Sequence, residues 1–232
     1  MSPDPEKRKR IHYGRRQGRP LRKTQRERLT NLLPGISIGS LNRLTDPPAL
    51  FDPPPKSVGL EVGFGGGEHL AAQAKANPDV GFIGCEPFIN GVARLLRTME
   101  TEKLANIRIY VDDARQLIEA LPDQSIDRCF ILFPDPWPKR RHHRRRIVSP
   151  ETLAGLARIL RDGARLRLAS DDRDYIRWML FHTLRQGSFE WPAQGPSDWR
   201  NRPADWPPTR YEEKAAQRSE SSIYLEFHRR RR

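Results

Sequence analysis

Four glycines fall within the five residues Gly63 to Gly67, between an apolar run, Val58 to Val62, and a helix-like stretch, Glu68 to Lys75. An acid, Glu61, sits near the end of the apolar run. Few arrangements satisfy this order other than a strand, a tight turn and the start of a helix. Glycine at Gly63, Gly65 and Gly67 permits positive φ and lets a ligand approach bare backbone. Free N–H groups at the following helix start favour an electron-rich partner. The turn is predicted to hold a nucleotide-like molecule.

Spacing narrows the choice. A dinucleotide fingerprint, G-x-G-x-x-G counted from Gly63, needs glycine where the chain has Glu68, and no G-K-[ST] follows, so a P-loop is excluded. The remaining pattern, E-x-G-x-G-x-G, resembles the first motif of class I S-adenosylmethionine-dependent methyltransferases. A glycine-rich surface turn is the plain alternative, and the rest of the chain decides between them.

The rest alternates strand with helix. Val80 to Cys85, Ile107 to Val111, Ile126 to Phe133 and Ala164 to Ala169 read as further strands. Phe88 to Thr101, with apolar residues at Val92, Leu95, Leu96 and Met99, reads as a helix, as do Ala114 to Leu121 and Asp172 to Gln186. Ser149-Pro150-Glu151 marks another helix start and Gly163 its predicted stop. Repeated β-then-α units imply an α/β fold: a mostly parallel, doubly wound, Rossmann-like sheet with helices on both faces. Ile223 to Phe227 reads as a final strand.

In such sheets ligands bind beyond the carboxyl ends of the strands, where the topology switches. All five strand exits carry an acid: Glu61, Glu86, Asp112-Asp113, Asp135 and Asp171-Asp172. Any one of them can be a helix N-cap, and Asp113 and Asp171 need be nothing more. Five together on one edge point to a site. Glu86 stands 25 residues after Glu61, near the spacing at which a carboxylate reaches a ribose diol. Asp113 would then lie beside an adenine and accept from its amino group.

The fourth exit is the most specific. Pro134-Asp135-Pro136-Trp137-Pro138 fixes an acid and an aromatic plane between residues of restricted φ. It runs directly into Lys139-Arg140-Arg141-His142-His143-Arg144-Arg145-Arg146. A basic run alone is usually a solvated face, but here it places phosphate contacts beside a chemical site. Lys and Arg outnumber Asp and Glu 42 to 29 over the 232 residues, a net charge of +13 that implies a polyanionic partner, nucleic acid being the commonest.

Three segments follow from composition. Residues 1–28 are a basic arm, expected to be disordered when free and to serve either as a solvating tail or as an RNA contact. Residues 29–56 form a Pro-rich lead-in, and residues 57–232 the compact domain. No run approaches the roughly 20 apolar residues of a membrane helix, and a cytoplasmic location is expected. Cys85 and Cys129 lie in apolar runs and read as free, buried thiols. The histidines show no metal-ligand spacing, so no metal is expected.

Taken together, E-V-G-F-G-G-G-E, I-G-C-E-P, D-D-A, F-P-D-P-W-P-K-R-R-H-H-R-R-R, A-S-D and T-R-Y-E at Thr209 to Glu212 resemble the bacterial tRNA (guanine-N7)-methyltransferase family from about Leu32 onward. The resemblance implies a class I methyltransferase fold with an antiparallel last strand, S-adenosyl-L-methionine as cofactor, and tRNA as partner, methylated on the guanosine of its variable loop at position 46. It implies cofactor contacts from Glu61, Gly63, Gly65, Gly67, Glu86, Asp113 and Asp135, with Asp135 also the catalytic acid. It further implies substrate contacts from Lys139, Asp171, Thr209, Arg210, Tyr211 and Glu212, and RNA-backbone contacts from Arg140, Arg141, His142, His143, Arg144 and Arg145.

This chain departs from the family pattern in having Arg210-Tyr211 in place of Lys-Phe and Ser170 in place of Thr, followed by two acids of which either could face the substrate. Trp137 and Tyr211 are candidates to stack a flipped base, Phe64 and Phe88 read as packing, and Trp178 as facing the core. Trp191, Trp199 and Trp206 fall in Pro-rich sequence expected to cap the substrate side. Two competing readings share part of these features: a methyltransferase for another substrate, and a non-catalytic RNA-binding protein on the same fold.

Overall fold

The structure is a computed structural model that describes residues 13–207 and 221–232. Seven strands form one sheet: β1 (Ser57–Val62), β2 (Val80–Cys85), β3 (Ile107–Tyr110), β4 (Ile126–Leu132), β5 (Leu160–Ser170), β6 (Phe189–Glu190) and β7 (Ile223–Arg229). Their spatial order is β3-β2-β1-β4-β5-β7-β6. The first five pair in parallel, while β7 runs antiparallel to both β5 and β6. The order reverses between β1 and β4, so a crevice opens beyond their carboxyl ends.

Helices cover both faces, as expected of strands with apolar residues on each side. On one face α3 (Glu68–Ala76) and α4 (Ile89–Glu102) pack Leu70, Ala74, Val92, Leu95, Leu96 and Met99 onto Phe82, Ile107, Ile109 and Phe130. On the other, α5 (Ala114–Ala120), α6 (Pro150–Ile159) and α7 (Arg173–Gln186) pack Leu117, Leu153, Leu156, Tyr175 and Met179 onto Leu60, Ile83, Cys129, Ile131 and Leu168. Both cysteines are free and buried. Trp178 packs on this second core and donates its indole N–H to the Val148 carbonyl at 2.7 Å.

Three boundaries differ from those predicted, each for a tertiary reason. Helix α6 stops at Ile159, before Gly163, because the carbonyls of Arg158 and Ile159 accept hydrogen bonds from Gln124 and Ser125. Strand β5 therefore begins at Leu160 and takes up the extra residues in a register shift containing Gly163, φ +78°. Strand β4 ends at Leu132, because Phe133 turns to φ +49° while its N–H bonds to Ala169. Asp172, not Asp171, caps α7, accepting from the Tyr175 N–H at 2.7 Å.

The described part of the basic arm has defined contacts. From residue 13 it is laid against the domain: α1 (Lys23–Asn31) lies alongside α4, with Arg28 paired to Glu100 at 2.7 Å. The lead-in continues as a one-turn helix, α2 (Leu33–Ile36), and a bridge from Ser37 to Ile109 on the sheet edge. In the lead-in and the end of α1, Leu29, Leu32, Leu33 and Ile36 pack against the α3/α4 core. Trp206 departs from the expected substrate cap. It is 4% exposed in the core, edge-on to His69, Phe130 and Tyr224.

Candidate active site

A cavity of about 620 Å³ occupies the crevice at the switch point, a volume suited to one small ligand. Its floor is the turn after β1. Gly63 has φ +74° and Gly65 φ +57°, conformations that a side chain would strain, and both line the cavity. Gly67, φ +81°, does not: it starts α3, and a Cβ there would meet Leu95 at 2.7 Å. Glycine at this position serves packing.

The acids separate into distinct roles. Glu86 lines the cavity, and its two carboxylate oxygens accept from the Gly65 N–H at 2.8 Å and the Phe88 N–H at 2.9 Å. Each oxygen retains acceptor capacity for a hydroxyl. Burial pushes this carboxyl above the ordinary range, the two N–H bonds pull it down, and the charges of Asp135 and Glu61 push it up again. Asp113 also lines the cavity, but its carboxylate caps α5 through the Arg115 N–H at 2.9 Å and is bridged by the Arg115 guanidinium.

Glu61 lies behind the cavity wall, beside the start of α3. It is 3% exposed, does not line the cavity, and lies 2.7 Å from Nδ1 of His69 on α3. The reason is the pleat: Leu60 faces the α5/α6 core, so Glu61 points to the opposite face, where α3 begins. His69 was not singled out from sequence, since one histidine on an apolar helix face carries no signal of its own.

Opposite the glycine floor stands the loop after β4. Asp135 and Trp137 line the cavity, and Trp137 has φ +47°. Two non-glycine residues, Phe133 and Trp137, thus occupy the left-handed region within five positions, a strain of about 1–3 kcal/mol each that persists only where neighbours fix it. The fixing residue is Arg146, the last of the basic run. It is 1% exposed, donates from Nε to the Pro136 carbonyl at 2.8 Å, pairs with Asp174, and lies 4.8 Å over the rings of both Tyr175 and Trp178.

The basic run is therefore not one surface. Lys139, Arg140, Arg141 and Arg144 are exposed, whereas His142 and His143 are half-buried against Trp137 and Trp178. Arg145 lies over the rings of both Tyr13 and Trp137, at 5.1 and 4.9 Å. Burial and the neighbouring cations, Arg145 first, lower the His142 pKa from its ordinary value, so this ring adds little charge near neutrality. Asp171 is half-buried at the end of β5, beside the Asp172 cap. Thr209 to Glu212 lie outside the described residues. Tyr13, Gly14, Arg15 and Arg115 also line the cavity; a lone tyrosine in a charge-rich arm was the only trace of this in the sequence.

The crevice fits an adenosyl cofactor in its donor set: bare backbone for close approach, a buried carboxylate with acceptor capacity for a diol, and an acid and an aromatic plane from the loop after β4. A parallel sheet extended by an antiparallel last strand, with this crevice at its switch point, defines the class I methyltransferase fold. An rRNA methylase from Streptococcus thermophilus superposes with a TM-score of 0.53 at 12% identity, over 82% of this chain and 92% of that one. An S-adenosylmethionine-dependent O-methyltransferase from Thermotoga maritima superposes with a TM-score of 0.51 at 15% identity, over 80% of this chain and 63% of that one. At such identities the likeness concerns fold alone.

Sequence carries the assignment further. The family described as "Putative methyltransferase" matches residues 55–225. The tRNA (guanine-N(7)-)-methyltransferase of Rhodospirillum rubrum is 51% identical over 95% of this chain and 88% of its own length. That of Agrobacterium fabrum is 49% identical over 94% of each. This chain belongs to the tRNA (guanine-N(7)-)-methyltransferase family.

Proposed function

We propose that this protein transfers a methyl group from S-adenosyl-L-methionine to N7 of the guanosine at position 46, in the variable loop of tRNA, in the cytoplasm. The observation that carries the reading is the meeting, across one cavity, of the glycine floor after β1 and the Asp135–Trp137 loop after β4, with exposed Arg140, Arg141 and Arg144 continuing from that loop. A small-molecule enzyme of this fold has no use for that exposed cationic rim. A purely RNA-binding protein has no use for a buried carboxylate set beside bare backbone.

Bound S-adenosylmethionine would supply an electrophilic methyl group on sulfur. Gly63 and Gly65 would let it lie close to the backbone, Glu86 would accept from its ribose hydroxyls, and Asp113 would border the adenine. Guanine N7 has an in-plane lone pair and no proton to lose, so the chain must contribute alignment more than a strong base. Methylation leaves the purine ring cationic. Asp135, at the cavity mouth, would orient the base and stabilise that developing charge, while Trp137 offers a stacking plane. Lys139 and Asp171 would meet the base or its neighbours, as would Thr209, Arg210, Tyr211 and Glu212, and the exposed arginines the phosphates.

Incubation with unmodified tRNA and labelled S-adenosylmethionine, followed by nucleoside analysis, tests the reading. The expected product is 7-methylguanosine, lost when guanosine 46 is replaced. Label on any other nucleoside would overturn the substrate assignment, and tRNA binding without cofactor binding would favour the non-catalytic alternative.

A further inference from the structure

The segment from Tyr13 to Arg19 runs from the start of α4 to the loop after β4, with Tyr13, Gly14 and Arg15 lining the cavity, and is fixed at both ends by different means. At one end it is tied to the start of α4. The Ile89 N–H donates to the Arg16 carbonyl at 2.9 Å, and Asn90 both accepts from the Gly18 N–H and donates to the Arg19 carbonyl, each at 2.8 Å. Arg16 also pairs with Asp112, at the exit of β3. Gly18 is required for this approach, since a Cβ there would stand 2.9 Å from the Phe88 ring.

From that anchor the chain continues, with Gly14 and Arg15 in the cavity wall, to the loop after β4. There Tyr13 meets Trp137 edge-on at 6.5 Å, and Arg145 lies over both rings. The Arg145 Nε is buried with no hydrogen-bond partner among the described residues, so the two rings are its main hold. Tyr13 itself is 42% exposed. One end is thus a hydrogen-bonded anchor and the other a cluster of three side chains that can part without breaking backbone bonds.

We infer that residues 13–19 are a strap belonging to the cofactor site, and that the Tyr13–Arg145–Trp137 cluster is the latch controlling how fast the cofactor leaves. Arg145 is accordingly a positioning residue for cofactor retention, unlike its neighbours Arg140, Arg141 and Arg144, whose side chains face solvent. The inference rests on the cofactor assignment above. A cation–π contact at a partly exposed site corresponds to about three- to tenfold in a rate or equilibrium constant, which sets the size of the expected effect.

The test measures S-adenosylmethionine dissociation from the full chain without tRNA, by stopped-flow tryptophan fluorescence, alongside thermal melting. Tyr13→Ala and Arg145→Met are each expected to speed dissociation by about three- to tenfold with little change in melting temperature. Tyr13→Phe should restore the wild-type rate, Arg140→Ala should leave it unchanged, and the double variant should be no faster than the single ones. Tryptic cleavage after Arg15 or Arg16 should slow when S-adenosylhomocysteine is bound. Wild-type dissociation rates in both Tyr13→Ala and Arg145→Met overturn the latch. Failure of the wild-type protein to bind S-adenosylmethionine overturns the cofactor assignment and this inference with it.

Discussion

The two sides of the cavity are built on opposite principles. The turn after β1 takes its shape from what its residues lack: Gly63 and Gly65 reach positive φ at no steric cost and present bare backbone. The loop after β4 takes its shape from what its residues carry, with Phe133 and Trp137 forced into the same region of conformational space. It is held there by the Phe133–Ala169 hydrogen bond and by Arg146 beneath Pro136. A surface that must admit a ligand to the main chain is made of glycine. A surface that must aim a carboxylate and a ring is made of strained residues over a buried anchor.

If that contrast is right, substitutions on the two sides should fail differently. The largest effect is expected at Asp135. Asp135→Ala should lower kcat for methyl transfer by about 10²–10³-fold, the scale of a lost electrostatic contact to a developing charge, as measured in single-turnover assays. If Asp135→Asn restores most of the rate, the residue orients guanine more than it stabilises charge; full activity in Asp135→Ala would remove it from the chemistry.

Next comes the anchor. Arg146→Met should cost about 2–4 kcal/mol of stability through lost packing and hydrogen bonds, or roughly 5–10 °C in melting temperature. Gly63→Ala should cost only about 1 kcal/mol, because the added Cβ meets nothing and strains only the backbone, and its main effect should be weaker cofactor binding by calorimetry. The reverse ranking in thermal melts would break the comparison.

The glycine side should also carry a pH signature. Glu86 has a raised pKa in the folded protein. The folded state therefore holds its proton more tightly than the unfolded state does. Its contribution to stability is complete below the ordinary carboxylate pKa and declines as pH rises through the raised value. Binding a ribose diol needs the opposite, ionised form. Cofactor affinity should thus fall as pH drops through the raised value, by up to about tenfold per pH unit, and Glu86→Gln should flatten that dependence.

The smallest effect belongs to the exposed arginines. Arg140→Ala should leave stability within about 0.5 kcal/mol and reduce the slope of log tRNA affinity against log salt by about 0.7–0.9. An unchanged slope would leave Arg140 a solvated side chain.

How much of this was legible in the chain follows the same division. The glycine turn, the five parallel strands, the acids at their exits and the Pro-Asp-Pro-Trp-Pro segment could be read directly, because each depends on residue type at short range. The roles of individual charged residues could not. Glu61 and Glu86 look alike in sequence, yet the pleat turns one toward His69 and leaves the other on the cavity wall. Arg144, Arg145 and Arg146 are three identical neighbours, and packing sends one to solvent, one over two rings and one into the core. The contacts of the arm were not legible either, since a local count of charge does not see the hydrogen bonds that Asn90 offers from another part of the chain.

The sequence by itself determined the five alternating strands, the glycine turn and the acids at the strand exits, because strand period, glycine conformation and proline restriction act within a few residues. Only the tertiary structure decided which acids face the cavity, which arginines remain free for a phosphate, and that an N-terminal strap forms part of the site. Those outcomes depend on contacts between segments far apart in the chain, such as Arg16 with Asp112 and Tyr13 with Arg145, and a charged side chain takes its role from the partner it meets there.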